Sequence, residues 1–170
     1  MTRVLGLDLS LTATGYAYND EVTGVIRSKA RGMPRLRHIC DEVMALAYAT
    51  DVAVLEDYAF SRADAHAHAL GELGGVVRLA LHDERIPYVD VKPSTLKKFA
   101  TDKGNAPKDA MLAAAIRRFG FEGSDNNEAD AWLLRAMGLA YYDGGVTAGY
   151  MTEALTKVEW PKLDIVERVS

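Results

Sequence analysis

Val4-Leu5-Gly6-Leu7-Asp8-Leu9 reads as an apolar strand with one carboxylate set inside it. A Thr/Gly break leads to a second short apolar segment at residues 15–18, and an Asn/Asp break leads to a third at 22–28. Three short strands with tight connections predict an antiparallel meander. Pro34 then opens a helical pattern to about residue 49, with Leu36, Ile39, Val43, Leu46 and Ala47 at three- and four-residue spacing. Residues 52–55 form a continuous apolar run, as in a buried central strand. Residues 62–84 carry the longest helical pattern, with a narrow stripe of Ala63, Ala67, Leu70, Gly74, Val77 and Leu81. Gly71, Gly74 and Gly75 lower helix propensity there and predict close approach of another backbone, either in the core or at a two-fold dimer seam. A fifth strand at 88–91, a short helix from 92, a polar loop at 101–107 and helices over 108–119 and 127–142 complete the pattern. The order is βββαβαβα followed by more helix, a mixed α/β layer architecture around a central sheet. Residues 1–145 make the domain. Residues 146–170, with Tyr150, Leu155, Trp160 and Pro161, read as a C-terminal extension, a packing arm or partner contact.

Bulk properties narrow the chemistry. A chain of 170 residues that is 49% apolar supports one core and leaves no room for two large lobes. The single cysteine, Cys40, excludes an internal disulfide framework and a multi-cysteine zinc site. No apolar run approaches the ~18 residues needed to span a bilayer. The N-terminus lacks the basic, apolar and small-residue pattern of a signal peptide, so the expectation is a cytoplasmic protein with no membrane partner. The net charge of −4 disguises a segregation. Residues 27–38 hold Arg27, Lys29, Arg31, Arg35 and Arg37 with no carboxylate. Residues 91–120 hold Lys92, Lys97, Lys98, Lys103, Lys108, Arg117 and Arg118 against Asp102 and Asp109. Such windows make either a basic stripe on an acidic protein or two solvated faces.

Three carboxylates fall where the pattern predicts burial. Asp8 interrupts the first strand, Glu56 ends the run at 52–55, and Asp130 lies early in the apolar helix Glu128-Ala129-Asp130-Ala131-Trp132-Leu133-Leu134. A buried unpaired carboxylate costs several kcal/mol or keeps its proton. Each alone can be a helix cap or a satisfied polar group, and Asp130 also suits a helix N-terminus. Together they can share a divalent cation, and an oxygen-only set suits Mg²⁺ or Mn²⁺ over zinc.

Gly6-Leu7-Asp8-Leu9-Ser10-Leu11-Thr12-Ala13-Thr14-Gly15, then Val54-Leu55-Glu56-Asp57, then Asn127-Glu128-Ala129-Asp130-Ala131 resemble, in order, the RuvC-type Holliday junction resolvases of the RNase H-like nuclease superfamily. Leu70-Gly71-Glu72-Leu73-Gly74-Gly75 and Ile86-Pro87 fit the same pattern, and the resemblance covers about residues 3–142. It implies an RNase H-like five-stranded mixed sheet flanked by helices. It implies a metal-dependent endonuclease that resolves four-way DNA junctions by paired symmetric nicks, with water attack leaving 5′-phosphate and 3′-hydroxyl ends. By resemblance Asp8, Glu56 and Asp130 are catalytic metal ligands for two Mg²⁺ per site, with Mn²⁺ able to substitute. The family's further ligand or base falls on Asn127, whose amide oxygen can ligate but cannot act as a base. Lys97 and Lys108 match lysines near the scissile phosphate, Lys108 in a catalytic role, with Lys98 an adjacent alternative to Lys97. Tyr58 and Phe60 flank the position of a base-stacking aromatic. Two symmetric cuts imply a homodimer.

Three other readings compete. Actin-like and sugar-kinase-like ATPases share the pattern Gly6-x-Asp8-x-x-x-Thr12 but need a second lobe and a second phosphate loop. A nuclease of the same fold could act more broadly on flaps, forks or RNA. Asn127 motivates a catalytically weak junction-binding module.

Overall fold

The computed structural model describes residues 1–18, 22–57, 65–146 and 148–163, with side chains omitted at 65–67. Strands β1 (Val4–Asp8), β2 (Thr14–Ala17) and β3 (Thr23–Ile26) form the expected meander. Helix α1 (Met33–Ala47) crosses back to β4 (Val52–Glu56), and α2 (Ala65–Asp83) to β5 (Tyr88–Val91). Four helices follow: α3 (Pro93–Thr101), α4 (Lys108–Phe119), α5 (Asn126–Tyr142) and α6 (Gly149–Leu155). The sheet order is β3-β2-β1-β4-β5, antiparallel through β3-β2-β1 and parallel through β1-β4-β5.

Strand periodicity sorts the core into two layers. Leu5 and Leu7 of β1 and Ala53 and Leu55 of β4 face α1 and α2, packing with Ile39, Val43, Leu73, Val77 and Leu81. Val4, Val52, Val54, Val89 and Val91 face the other way, onto Phe99, Trp132, Leu133 and Met137 of α3 and α5. The same alternation turns Gly6 and Asp8, and Glu56 after Val54, toward the α5 face.

Three glycines set the fit of α5 on that face. A Cβ on Gly6 would stand 2.0 Å from the Ala131 carbonyl oxygen, and one on Gly15 would stand 2.0 Å from that of Asn127. A Cβ on Gly138 would meet Val4 at 2.7 Å and Val54 at 3.0 Å. Close approach of two backbones therefore occurs at Gly6 and Gly15, and of the α5 backbone to valine side chains at Gly138, but not at Gly75 of α2, where a Cβ would meet nothing within 4 Å. The α2 stripe read from the sequence points inward at Val77 and Leu81, which are fully buried. Beyond Gly144 and Gly145, α6 packs on α3, and Trp160 stacks on Tyr141 at 4.6 Å while Tyr142 donates to the Pro161 carbonyl at 2.8 Å. No helix among the described residues is long and apolar enough to cross a membrane.

Candidate active site

Every strand contributes to one end of the sheet. β1, β4 and β5 are parallel and end there at Asp8, Glu56 and Val91. β2 begins there, with Gly15 paired to Asp8, and β3 ends there, with Ile26 paired to Thr14. Asp8 and Glu56 follow directly on the paired residues Leu7 and Leu55, so they sit on adjacent strands about 5 Å apart in backbone position. The glycine contacts lay the first two turns of α5 across β1 and β2, which brings Asp130 over the same end.

The three carboxylates feel one another. Burial, then Asp130 and Asp125, pushes the Asp8 carboxyl up to about 7, against the pull of Lys108. Burial, with Asp8 and Asp130 adding to it, pushes Glu56 up to about 8, and Lys97 and Lys108 oppose this. Burial raises Asp130 to about 6, again opposed by Lys108 and Lys97. Desolvated like charges of this kind favour the protonated form unless a cation joins them. Among the described residues no three His, Cys, Asp or Glu side chains are already disposed to hold a metal ion. The donor set fits one chemically: three mutually repelling carboxylates at one strand end, oxygen-only and partly desolvated, match a hard divalent cation.

Asp125 has a clear structural place. It lies before the helix and caps it, its Oδ1 accepting from the Asn127 N–H at 2.9 Å and the Glu128 N–H at 3.3 Å. Its other oxygen is 3.5 Å from Arg27. Glu128 points away from the carboxylates and accepts from the Thr23 hydroxyl on β3. Asn127 lies in the first turn of α5, its carbonyl over Gly15.

The lysines separate. Lys97 and Lys108 both act on Glu56 and Asp130, and Lys108 acts on Asp8 as well. Lys98 is engaged in ion pairs on the other side of the helix. Its Nζ is held by Asp102 at 3.0 Å and Glu153 of α6 at 3.3 Å. One step along a helix turns a side chain by about 100°, so only one of two adjacent lysines can face the site. Tyr58 and Phe60 lie outside the described residues. Cys40 is a buried free thiol in α1.

No model of a known protein family matches the sequence. The crossover junction endodeoxyribonuclease RuvC of Synechococcus sp. is 29% identical over 133 residues, spanning 71% of this chain and 85% of that protein. The enzyme of the same name from Rhodopirellula baltica is 34% identical over 126 residues, spanning 65% of this chain and 70% of that protein. The structure of Thermus thermophilus RuvC in complex with a Holliday junction substrate superposes with a TM-score of 0.71 at 19% identity, covering 85% of this chain and 96% of that one. A third of the residues shared across most of a relative's length, on the same fold, places the chain in the RuvC family of crossover junction endodeoxyribonucleases.

Proposed function

We propose that this protein is a metal-dependent endonuclease that resolves four-way DNA junctions by paired nicks. The observation that carries this reading is the shared sheet end. Asp8, Glu56 and Asp130 meet there with Lys97 and Lys108 facing them. The two basic windows leave from the same end, residues 27–38 beyond edge strand β3 and residues 91–108 beyond edge strand β5. A carboxylate centre between two cationic flanks suits a phosphodiester within a longer polyanion.

Asp8, Glu56 and Asp130, with the Asn127 amide oxygen, would hold Mg²⁺, two ions per site, with Mn²⁺ able to substitute. When bound, such ions activate water and stabilise the leaving 3′ oxygen of an in-line displacement. Lys97 and Lys108 neutralise charge on the attacked phosphate. The three carboxyls must release their protons to ligate, so metal affinity rises with pH through about 6 to 8. Products are a 5′-phosphate and a 3′-hydroxyl.

Two symmetric nicks require two sites, and α2 offers the contact for a two-fold dimer. His68, Glu72, Gly75, Leu79 and His82 form its outward row, where Leu79 is 61% exposed one turn from the open Gly75. The open Gly75 leaves room there for a large apolar side chain from a second copy of the chain.

Asp8→Asn is expected to abolish cleavage of a labelled four-way junction in Mg²⁺ while keeping or raising junction affinity, since it removes a negative charge. Simultaneous loss of binding would count against Asp8 as a ligand. Flaps, forks and RNA–DNA hybrids in the same assay test the broader nuclease. Asn127 favours one second reading, a weakly catalytic junction binder, for which binding without cleavage in either Mg²⁺ or Mn²⁺ is the signature.

A further inference from the structure

A groove of about 490 Å³ runs between the loop after α3 and the exposed side of α4. Ala106, Pro107 and Ala110 are part of its small apolar floor, and Lys103, Arg117 and Arg118 are its charged lining. No carboxylate lines it, and Asp102 beside Lys103 is turned to Lys98. Arg118 is pinned by donating from Nη1 to the Ala100 carbonyl at 3.1 Å and the Tyr150 hydroxyl at 2.9 Å. Among the described residues, the side chains of Lys103 and Arg117 have neither an ion pair nor a hydrogen bond.

Three cations line one face of the groove with no carboxylate among them, on a chain of net charge −4, so the groove attracts an anion. Apart from Thr101, whose hydroxyl donates to the Lys97 carbonyl, the shallow floor of alanine and proline has no side-chain polar group to read a base edge, and it suits a sugar–phosphate surface. The groove also begins beside the candidate active site. Its Pro107 is the N-cap of α4, and the next residue, Lys108, faces the carboxylates. Arg117 lies nine residues further on, about 13 Å along the helix, or about four nucleotides of one strand's rise.

We infer that this groove is a second DNA-backbone site, which holds the strand leaving the cut phosphate along α4. The inference rests on the proposed nuclease function and adds a place where substrate is held away from the chemistry. It makes Lys103 and Arg117 phosphate contacts, with Arg118 positioned between α3, α4 and α6 to complete the anion site.

The test is equilibrium binding of a labelled four-way junction to the full chain in chelator, over a range of salt concentrations. The Lys103→Ala/Arg117→Ala double variant is expected to bind about tenfold more weakly at ~0.1 M salt, with a slope of log affinity against log salt shallower by about 2. Unchanged affinity and slope would overturn the proposal. Lys103→Arg/Arg117→Lys should restore both quantities. Weakness equal to the alanine variant would assign the loss to packing and sink the idea. Arg85→Gln, an exposed cation at the opposite end of the sheet, should bind as the parent does. An equal loss there would show only a general charge effect and overturn the groove's role. A parent chain that binds no nucleic acid would overturn the nuclease reading and the groove with it.

Discussion

Asp8 sits at about 7 and Glu56 at about 8 in the folded chain, whereas unfolded carboxyls titrate near about 4. The folded chain therefore keeps protons that the unfolded chain gives up. The stability these groups lend is full below about pH 4 and is lost as pH rises through about 7 for Asp8 and about 8 for Glu56. Asp8→Asn removes the burden, so in chelator it should melt several degrees above the parent at pH 8, about 1–3 kcal/mol more stable. The gap should narrow steadily toward pH 5, and a pH series of thermal melts checks it. A variant that melts with or below the parent at pH 8 would mean that Asp8 is not electrostatically strained. At this scale the sequence was readable where an acid interrupts an apolar run, which is how Asp8, Glu56 and Asp130 stand out. It was not readable for Asp125, whose part depends on lying just outside the helix as its cap. Nor could it separate Lys97 from Lys98, a choice made by the rotational phase of a nine-residue helix.

The fit of α5 to the sheet is what joins its first turns to the two strand-end acids. Gly15→Ala would drive a methyl group into the Asn127 carbonyl, with backbone on both sides and no flexible side chain to yield. The expected cost is about 2–4 kcal/mol, in the upper range for overpacking, together with loss of cleavage as Asn127 and Asp130 are displaced. Thermal melts and the junction assay report the two effects. A variant as stable and active as the parent would show that α5 can shift without consequence. The elements themselves were legible because β1, β4 and α1 have clean periodicity. The stripe read on α2 does face inward at Gly74, Val77 and Leu81, but Gly75 lies on the open side, and Leu73, fully buried, widens the face beyond that stripe. The glycines that permit close packing were in view in β1 and β2. A glycine in a strand has no partner visible in its own segment, so its reason emerges only once a helix is laid across it.

On the scale of the whole molecule, the dimer proposed through the α2 row has a direct test. Leu79→Glu should turn a dimer into a monomer by sedimentation velocity and replace paired nicks by single, uncoordinated ones. A parent that sediments as a monomer at micromolar concentration in the presence of junction DNA would remove the dimer from the reading. The sequence held the charge segregation but not its geometry, because only the strand order shows that both basic windows leave from the end where the acids meet. That arrangement has a further electrostatic result. α1 and α3 follow strands that finish at this end, and α4 and α5 start there with Lys108 and, one turn in, Asp130. Helices α1, α3, α4 and α5 thus start at this end, each adding up to about half a positive charge there from its macrodipole. The backbone's own partial charge therefore eases the crowding of the three acids and adds to the pull of the two basic windows on an approaching polyanion.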